Sequence, residues 1–144
     1  MPGPNRFLGD LIVRELPGGR RWEVVAAFRF HLGSPEGVEY IAVPHGFVTD
    51  FASIPRGLWN IWPPMGGKHG KSSVVHDRAY STGYVSVTDG SVRHITRHEA
   101  DAILLEALGV AGVTRLSRRL IYWGVRLGGG WAWASHRDRD ARRP

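Results

Sequence analysis

The chain has 144 residues, enough for one domain that buries roughly two thirds of its unfolded surface. It has no cysteine, which excludes disulfides and thiolate metal sites; any metal must use His, Asp, Glu or backbone oxygen, a set that suits calcium or zinc. The net charge of +6 lies wholly in residues 115–143, where eight Arg face two Asp, while residues 1–114 balance 11 basic side chains against 11 acidic ones.

Strands dominate the first third. Leu11–Leu16 and Val38–Val43 flank Trp22–Leu32, in which Trp22, Val24, Ala26, Phe28, Phe30 and Leu32 alternate with polar neighbours in the manner of a half-buried strand. Turns at Pro17-Gly18-Gly19 and Gly33–Gly37 then predict a three-stranded antiparallel meander. Ser53 and Pro55 start a short helix whose Leu58, Trp59, Ile61 and Trp62 form an aromatic plug before Pro63-Pro64.

Helices follow. A glycine-rich loop, Met65–Gly70, leads into a helix over Lys71–Ser81 that Ser72 or Ser73 starts. Val85–Ile95 alternates around Asp89-Gly90, which predicts a hairpin with a two-residue type I′ turn. Thr96 and Glu99 form a capping box for a helix over Thr96–Leu108, and Gly109 closes it. A third helix, Val113–Leu127, has Leu116, Leu120, Trp123 and Leu127 as its inner stripe. The expectation is an α+β fold: a small antiparallel sheet of about three strands, then three main helices with an inserted β-hairpin. One globular domain spans residues 1–131, and residues 132–144 form an Arg-rich C-terminal tail. No apolar run approaches the ~20 residues of a transmembrane helix and no leader is recognisable, so synthesis in a cytoplasm is expected.

The chemistry gathers on two helices. His76 and Tyr80 lie four apart on one helical face, with Asp77 turned about 100° away. Asp101 shares its stripe with Leu104, Leu105 and Leu108, and a carboxylate aimed at packed side chains costs several kcal/mol unless it is paired or metal-bound. His76 with Asp101 makes an orienting dyad able to activate water, with Tyr80 bonded into the group and Asp77 available to a cation, as in a metal-assisted hydrolase. The same pair also suits a plain structural hydrogen bond between two helices. Asp50 is a further candidate metal ligand, although capping of nearby backbone amides is its simpler role. His45, His94 and His98 read as surface residues, and no Walker loop, dinucleotide fingerprint, nucleophile elbow or HExxH helix is present. Arg outnumbers Lys 17 to 2, and its planar fork suits carboxylates or phosphates. Acidic protein surfaces, lipid head groups and nucleic acid are the matching partners, the last disfavoured because acids interrupt the basic run.

Four segments carry a resemblance: Val43–Arg56 (V-P-x-G-F-x-T-D-x-A-S-I-P-R), His76–Tyr80 (H-D-x-x-Y), Arg97–Asp101 (R-x-x-A-D) and Tyr122–Gly129 (Y-W-x-V-R-x-G-G). Together they resemble a bacteriophage and prophage family known as a domain of unknown function, over roughly residues 7–131. The resemblance implies a virion component of the tail or tail tip, docked on other phage structural proteins through C-terminal Arg- and Trp-rich surfaces. H-D-x-x-Y followed by an Asp on the next helix is also similar to phospholipases of the A-two class. That similarity implies His76 as water-activating base, Asp77 as calcium ligand, Asp101 as orienting carboxylate, and a phospholipid or other envelope component such as peptidoglycan as substrate. The chain differs from that class in lacking cysteines and in carrying Lys68 in the loop.

Overall fold

A computed structural model of the chain describes residues 6–51 and 68–143. The fold is α+β, with two antiparallel sheets and four helices among the described residues. The strands are β1 (Phe7–Leu8), β2 (Val13–Glu15), β3 (Trp22–Val24), β4 (Phe28–His31), β5 (Glu39–Val43), β6 (Val48–Thr49), β7 (Tyr84–Val87) and β8 (Val92–His94). Five of them form one sheet in the order β1-β4-β5-β7-β8, and the other three form a second in the order β2-β3-β6.

The alternating segment Trp22–Leu32 is therefore two strands rather than one. Its first part pairs with β2 and β6, its second with β1 and β5, and the chain crosses between sheets at residues 25–27. Side-chain alternation survives the crossing, since Trp22, Val24, Phe28 and Phe30 are all buried. A period of two reports which way side chains point and not which neighbour supplies the hydrogen bonds. The hairpin β7–β8 is inserted between two helices in chain order, as expected, and it also joins the larger sheet, where β7 pairs with β5 (Glu39↔Val87, Tyr40↔Ser86). Its turn is wider than expected, because the Val87 amide donates to Ser91 O at 2.9 Å and the Gly90 amide donates to Val87 O at 2.9 Å. That encloses Thr88, Asp89 and Gly90, with Gly90 alone of these at positive φ (91°), a three-residue loop ending in a glycine bulge.

Helix α1 (Gly70–Thr82) starts at His69, which makes no side-chain cap; Ser72 and Ser73 are buried inside the helix instead of starting it. It stops at Gly83, whose φ of 71° is left-handed. Helix α2 (Arg97–Val110) has the expected capping box, Glu99 N donating to Thr96 Oγ1 at 3.1 Å and Thr96 N to Glu99 Oε2 at 2.7 Å. It runs through Gly109 and is followed by Gly112 at φ 86°. Thr114 caps α3 (Arg115–Gly128), and residues 130–141, most of which fall in the Arg-rich stretch, form α4 (Gly130–Ala141).

The inner stripe of α3 is corrected. Ile121 and Val125 face inward and join Leu104, Leu108 and Val113 of the α2 region in a small second core. Leu116, Leu120, Trp123 and Leu127 lie outward. Helical spacing identified a real apolar face, but a helix with two apolar faces does not say which one meets the neighbour. The main core lies between the large sheet (Phe30, Ile41, Val43, Val85) and the inward faces of α1 and α2 (Val74, Val75, Ala79, Ala100, Ile103, Ala107). No helix among the described residues is long and apolar enough to cross a membrane. The expected helix and aromatic plug after Ser53 lie outside the described residues.

Candidate functional site

Asp101 is the centre of the site. It is 0% exposed in the apolar flank of α2, and an unpaired carboxylate there would not stay ionised. His76 Nε2 donates to its Oδ1 at 2.8 Å, and the Tyr80 hydroxyl donates to the same oxygen at 2.6 Å. Arg126 of α3 donates through Nη1 to Oδ2 at 2.7 Å. Arg97, one turn before Asp101, stands 3.9 Å from Oδ2, donates to the Tyr80 hydroxyl at 3.3 Å and ties down the α3 end through Val125 O at 3.0 Å. One carboxylate thus joins α1, α2 and α3.

The protonation states follow from these contacts. Burial pushes the Asp101 carboxyl up, but hydrogen bonds from His76, Tyr80 and Arg126 outweigh it and hold the group below its ordinary value. Burial pulls His76 down further than Asp101 pushes it up, so the ring is neutral at pH 7. Burial and the Asp101 contact raise Tyr80 far above its ordinary value, which keeps the hydroxyl a donor. A neutral imidazole that donates from Nε2 has Nδ1 as its basic nitrogen; the proton is assigned from the hydrogen-bond network.

His76 and Tyr80 form one wall of a cleft of about 680 Å³. Asp77, on the neighbouring face of α1, accepts a hydrogen bond from Thr49 Oγ1 and lines the same cleft, as does Asp50. Thr49 Oγ1 also accepts from Phe51 N at 3.1 Å, and Phe51 adopts a left-handed φ of 54°, the one non-glycine residue to do so among the described residues. That conformation costs about 1–2 kcal/mol, and full burial of Phe51 against Trp22 (ring centroids 5.2 Å apart) offsets it. The turn is tied to Thr49 through the Phe51 amide.

The opposite wall is α4, which contributes His136 and Arg139. Trp133 packs edge-on against Tyr80 at 5.3 Å, and Arg137 donates to the carbonyls of Tyr80 at 2.8 Å and Ser81 at 3.0 Å. The α3–α4 junction passes so close to Tyr80 that a Cβ on Gly129 would lie 2.6 Å from both the Tyr80 hydroxyl and Val125 O.

Of the five residues singled out from sequence, His76, Tyr80 and Asp101 meet at one point, while Asp77 and Asp50 stand along the same cleft. The two carboxylates offer hard oxygen donors of the kind calcium takes. Among the described residues no group of three or more His, Asp or Glu is placed to hold a metal ion, and residues 65–67 of the glycine-rich loop are outside them. Sequence reasoning missed Arg97, Arg126, Thr49, His136 and Arg139 as parts of the site. Arg97 was findable, four residues before a buried Asp on the same helix. Arg126 and Thr49 were visible only as fixed letters of motifs, with no local pattern to give either a role.

A family model described as a protein of unknown function, DUF1353, matches residues 22–125. The chain belongs to the DUF1353 family. No curated protein and no solved structure matches it. The DUF1353 span contains Thr49, His76, Asp77, Tyr80, Arg97 and Asp101; Arg126 and the α4 wall lie just beyond its end.

Proposed function

We propose that the DUF1353 cleft is a hydrolytic site in which His76, oriented by Asp101, is the base that activates water against an ester or amide of an anionic cell-envelope component, a phospholipid or peptidoglycan. The observation that carries the reading is the 2.8 Å Nε2–Oδ1 bond between His76 and Asp101 at the wall of a cleft of about 680 Å³. In the first step the water oxygen bonds to the acyl carbon, the C=O π pair moves onto the carbonyl oxygen and the water proton passes to Nδ1 of His76. In the second the C=O bond re-forms, the acyl–heteroatom bond breaks and the imidazolium returns that proton to the leaving group. Asp101 stays ionised throughout and stabilises the transient imidazolium, with Arg126 holding the carboxylate in place. Arg21 and Arg139 line the cleft as cations for an anionic group on the substrate. Calcium or zinc held by Asp77 and Asp50 would polarise the scissile carbonyl.

The bacteriophage resemblance supplies a setting for this chemistry: a particle component of the tail or tail tip that acts on the envelope as the particle engages it. Purified protein is expected to release fatty acid or peptidoglycan fragments, with or without added calcium. His76→Ala should lower that rate about 10²–10⁴-fold, the usual worth of a general base. A folded wild-type protein with neither activity nor calcium binding by calorimetry, or a variant as active as wild type, rejects the hydrolytic reading.

A further inference from the structure

The outward face of α3 is apolar. Leu116, Leu120, Trp123 and Leu127 are 71%, 50%, 60% and 86% exposed, and Trp131 at the start of α4 is 82% exposed. At 100° per residue the four α3 side chains fall within about 60° of one another, and the core pair Ile121 and Val125 points about 150° away. Soluble proteins rarely leave so continuous a row of large apolar groups to water. Its borders differ in character. Arg115 and Arg119, both exposed, run along one side, while Gly124 and Gly128, on the other, line the cleft. Residues 115–137 contain no acidic side chain.

We infer that this face is an interfacial docking surface for anionic lipid bilayers, with the Leu and Trp side chains entering the head-group boundary and the Arg side chains on lipid phosphates. A helix with Trp and Leu on one face and Arg beside them is the arrangement that lies in the plane of a membrane. A second copy of the chain is a poor occupant, because an antiparallel two-fold contact through this face would bring its arginines against the same arginines, and a parallel one would leave them with no acidic partner between residues 115 and 137. Gly124 and Gly128, at the border of this face, and the exposed Trp131 of α4 line the cleft, so a docked molecule presents the cleft mouth at the membrane surface. This placement deepens the hydrolytic reading and rests on it for substrate access. The docking itself rests on α3 alone.

Vesicles of ether-linked phosphatidylglycerol and phosphatidylcholine, which offer no ester to cleave, separate the two. Co-flotation of the full chain is expected with the phosphatidylglycerol vesicles and not with phosphatidylcholine alone, together with a blue shift of tryptophan fluorescence and loss of binding in high salt. Leu120→Ser with Trp123→Ser should bind about tenfold or more weakly, since each removes a large apolar side chain from the interface. Both positions are half or more exposed, so an unchanged circular-dichroism melt is expected and separates lost binding from lost fold. Arg115→Gln with Arg119→Gln should reduce binding at low salt and flatten its salt dependence. Equal binding by wild type and the Leu120/Trp123 variant overturns the inference. So does a wild-type dimer in solution that this variant dissociates, or a wild type that ignores both vesicles while the variant alone fails to enter particles, which would assign the face to a partner protein. Binding with no hydrolysis of ester lipids leaves the docking standing and rejects the phospholipid as substrate.

Discussion

Asp101 shows how one residue can be legible as a problem before its solution is visible. A carboxylate in a leucine stripe announces that partners exist, and the H-x-x-x-Y spacing on the preceding helix named two of them. The third, Arg126, comes from a helix 25 positions later, whose facing direction depends on tertiary packing and not on local pattern. The network also sets an acid limit on stability. Below its unfolded value of about 6.5 His76 takes up a proton in the unfolded chain before it does so in the fold, where its affinity for protons is lowered; stability is therefore present above that pH and lost as pH falls. Asp101, depressed in the fold, adds stability above its unfolded value of about 3.9 that is lost as pH falls through the folded one. Urea midpoints measured from pH 8 to pH 3 should decline in two stages, the first beginning near pH 6.5; burial lowers His69 and His136 as well, so in His76→Asn the first stage should be shallower than in wild type.

At the level of elements, caps and periodicities with a local cause were readable and the connections between elements were not. The Thr96–Glu99 capping box is complete within four residues, and it formed as expected. Trp22–Leu32 kept its alternation while changing sheets, and α3 kept its apolar spacing while facing outward. Both outcomes depend on where the neighbouring elements lie. The α3–α4 junction is the tightest of these joints. Gly129→Ala places a methyl 2.6 Å from the Tyr80 hydroxyl and from Val125 O, so something must move. The expected cost is about 1–3 kcal/mol by chemical denaturation, with a weakened Tyr80–Asp101 bond visible as a lower phenol pKa in ultraviolet titration.

For the molecule as a whole, the main core and the large sheet form a platform, and the site is made where α3 and α4 fold back over it. The DUF1353 span supplies the dyad, and the segment after Val125 supplies Arg126 and the second wall. Charge composition pointed to the C-terminal fifth as the special region, yet it could not tell a solvated tail from a helix packed on Tyr80. Trp133→Ala removes the edge-on contact with Tyr80 and the ring under Arg137. Because Trp133 is only half-buried, the loss should be about 2 kcal/mol, below the range for a fully buried Trp. Hydrogen exchange in α4 and in the last turn of α1 should rise together, since α4 closes on that turn.

The grip of Arg137 on the end of α1 has a consequence for heredity. A Cβ on Gly83 would lie 1.3 Å from Nη1 of Arg137, so the guanidinium occupies the room a side chain at 83 would need. Descendants in which α4 has been lost or replaced are free to carry asparagine at 83, which tolerates the left-handed turn; those that keep Arg137 must swing its guanidinium away and give up its bonds to the Tyr80 and Ser81 carbonyls. The two positions, 54 apart in the chain, should therefore vary as a pair, and their joint state in any aligned set of DUF1353 sequences would reveal which members fold the fourth helix back over the site.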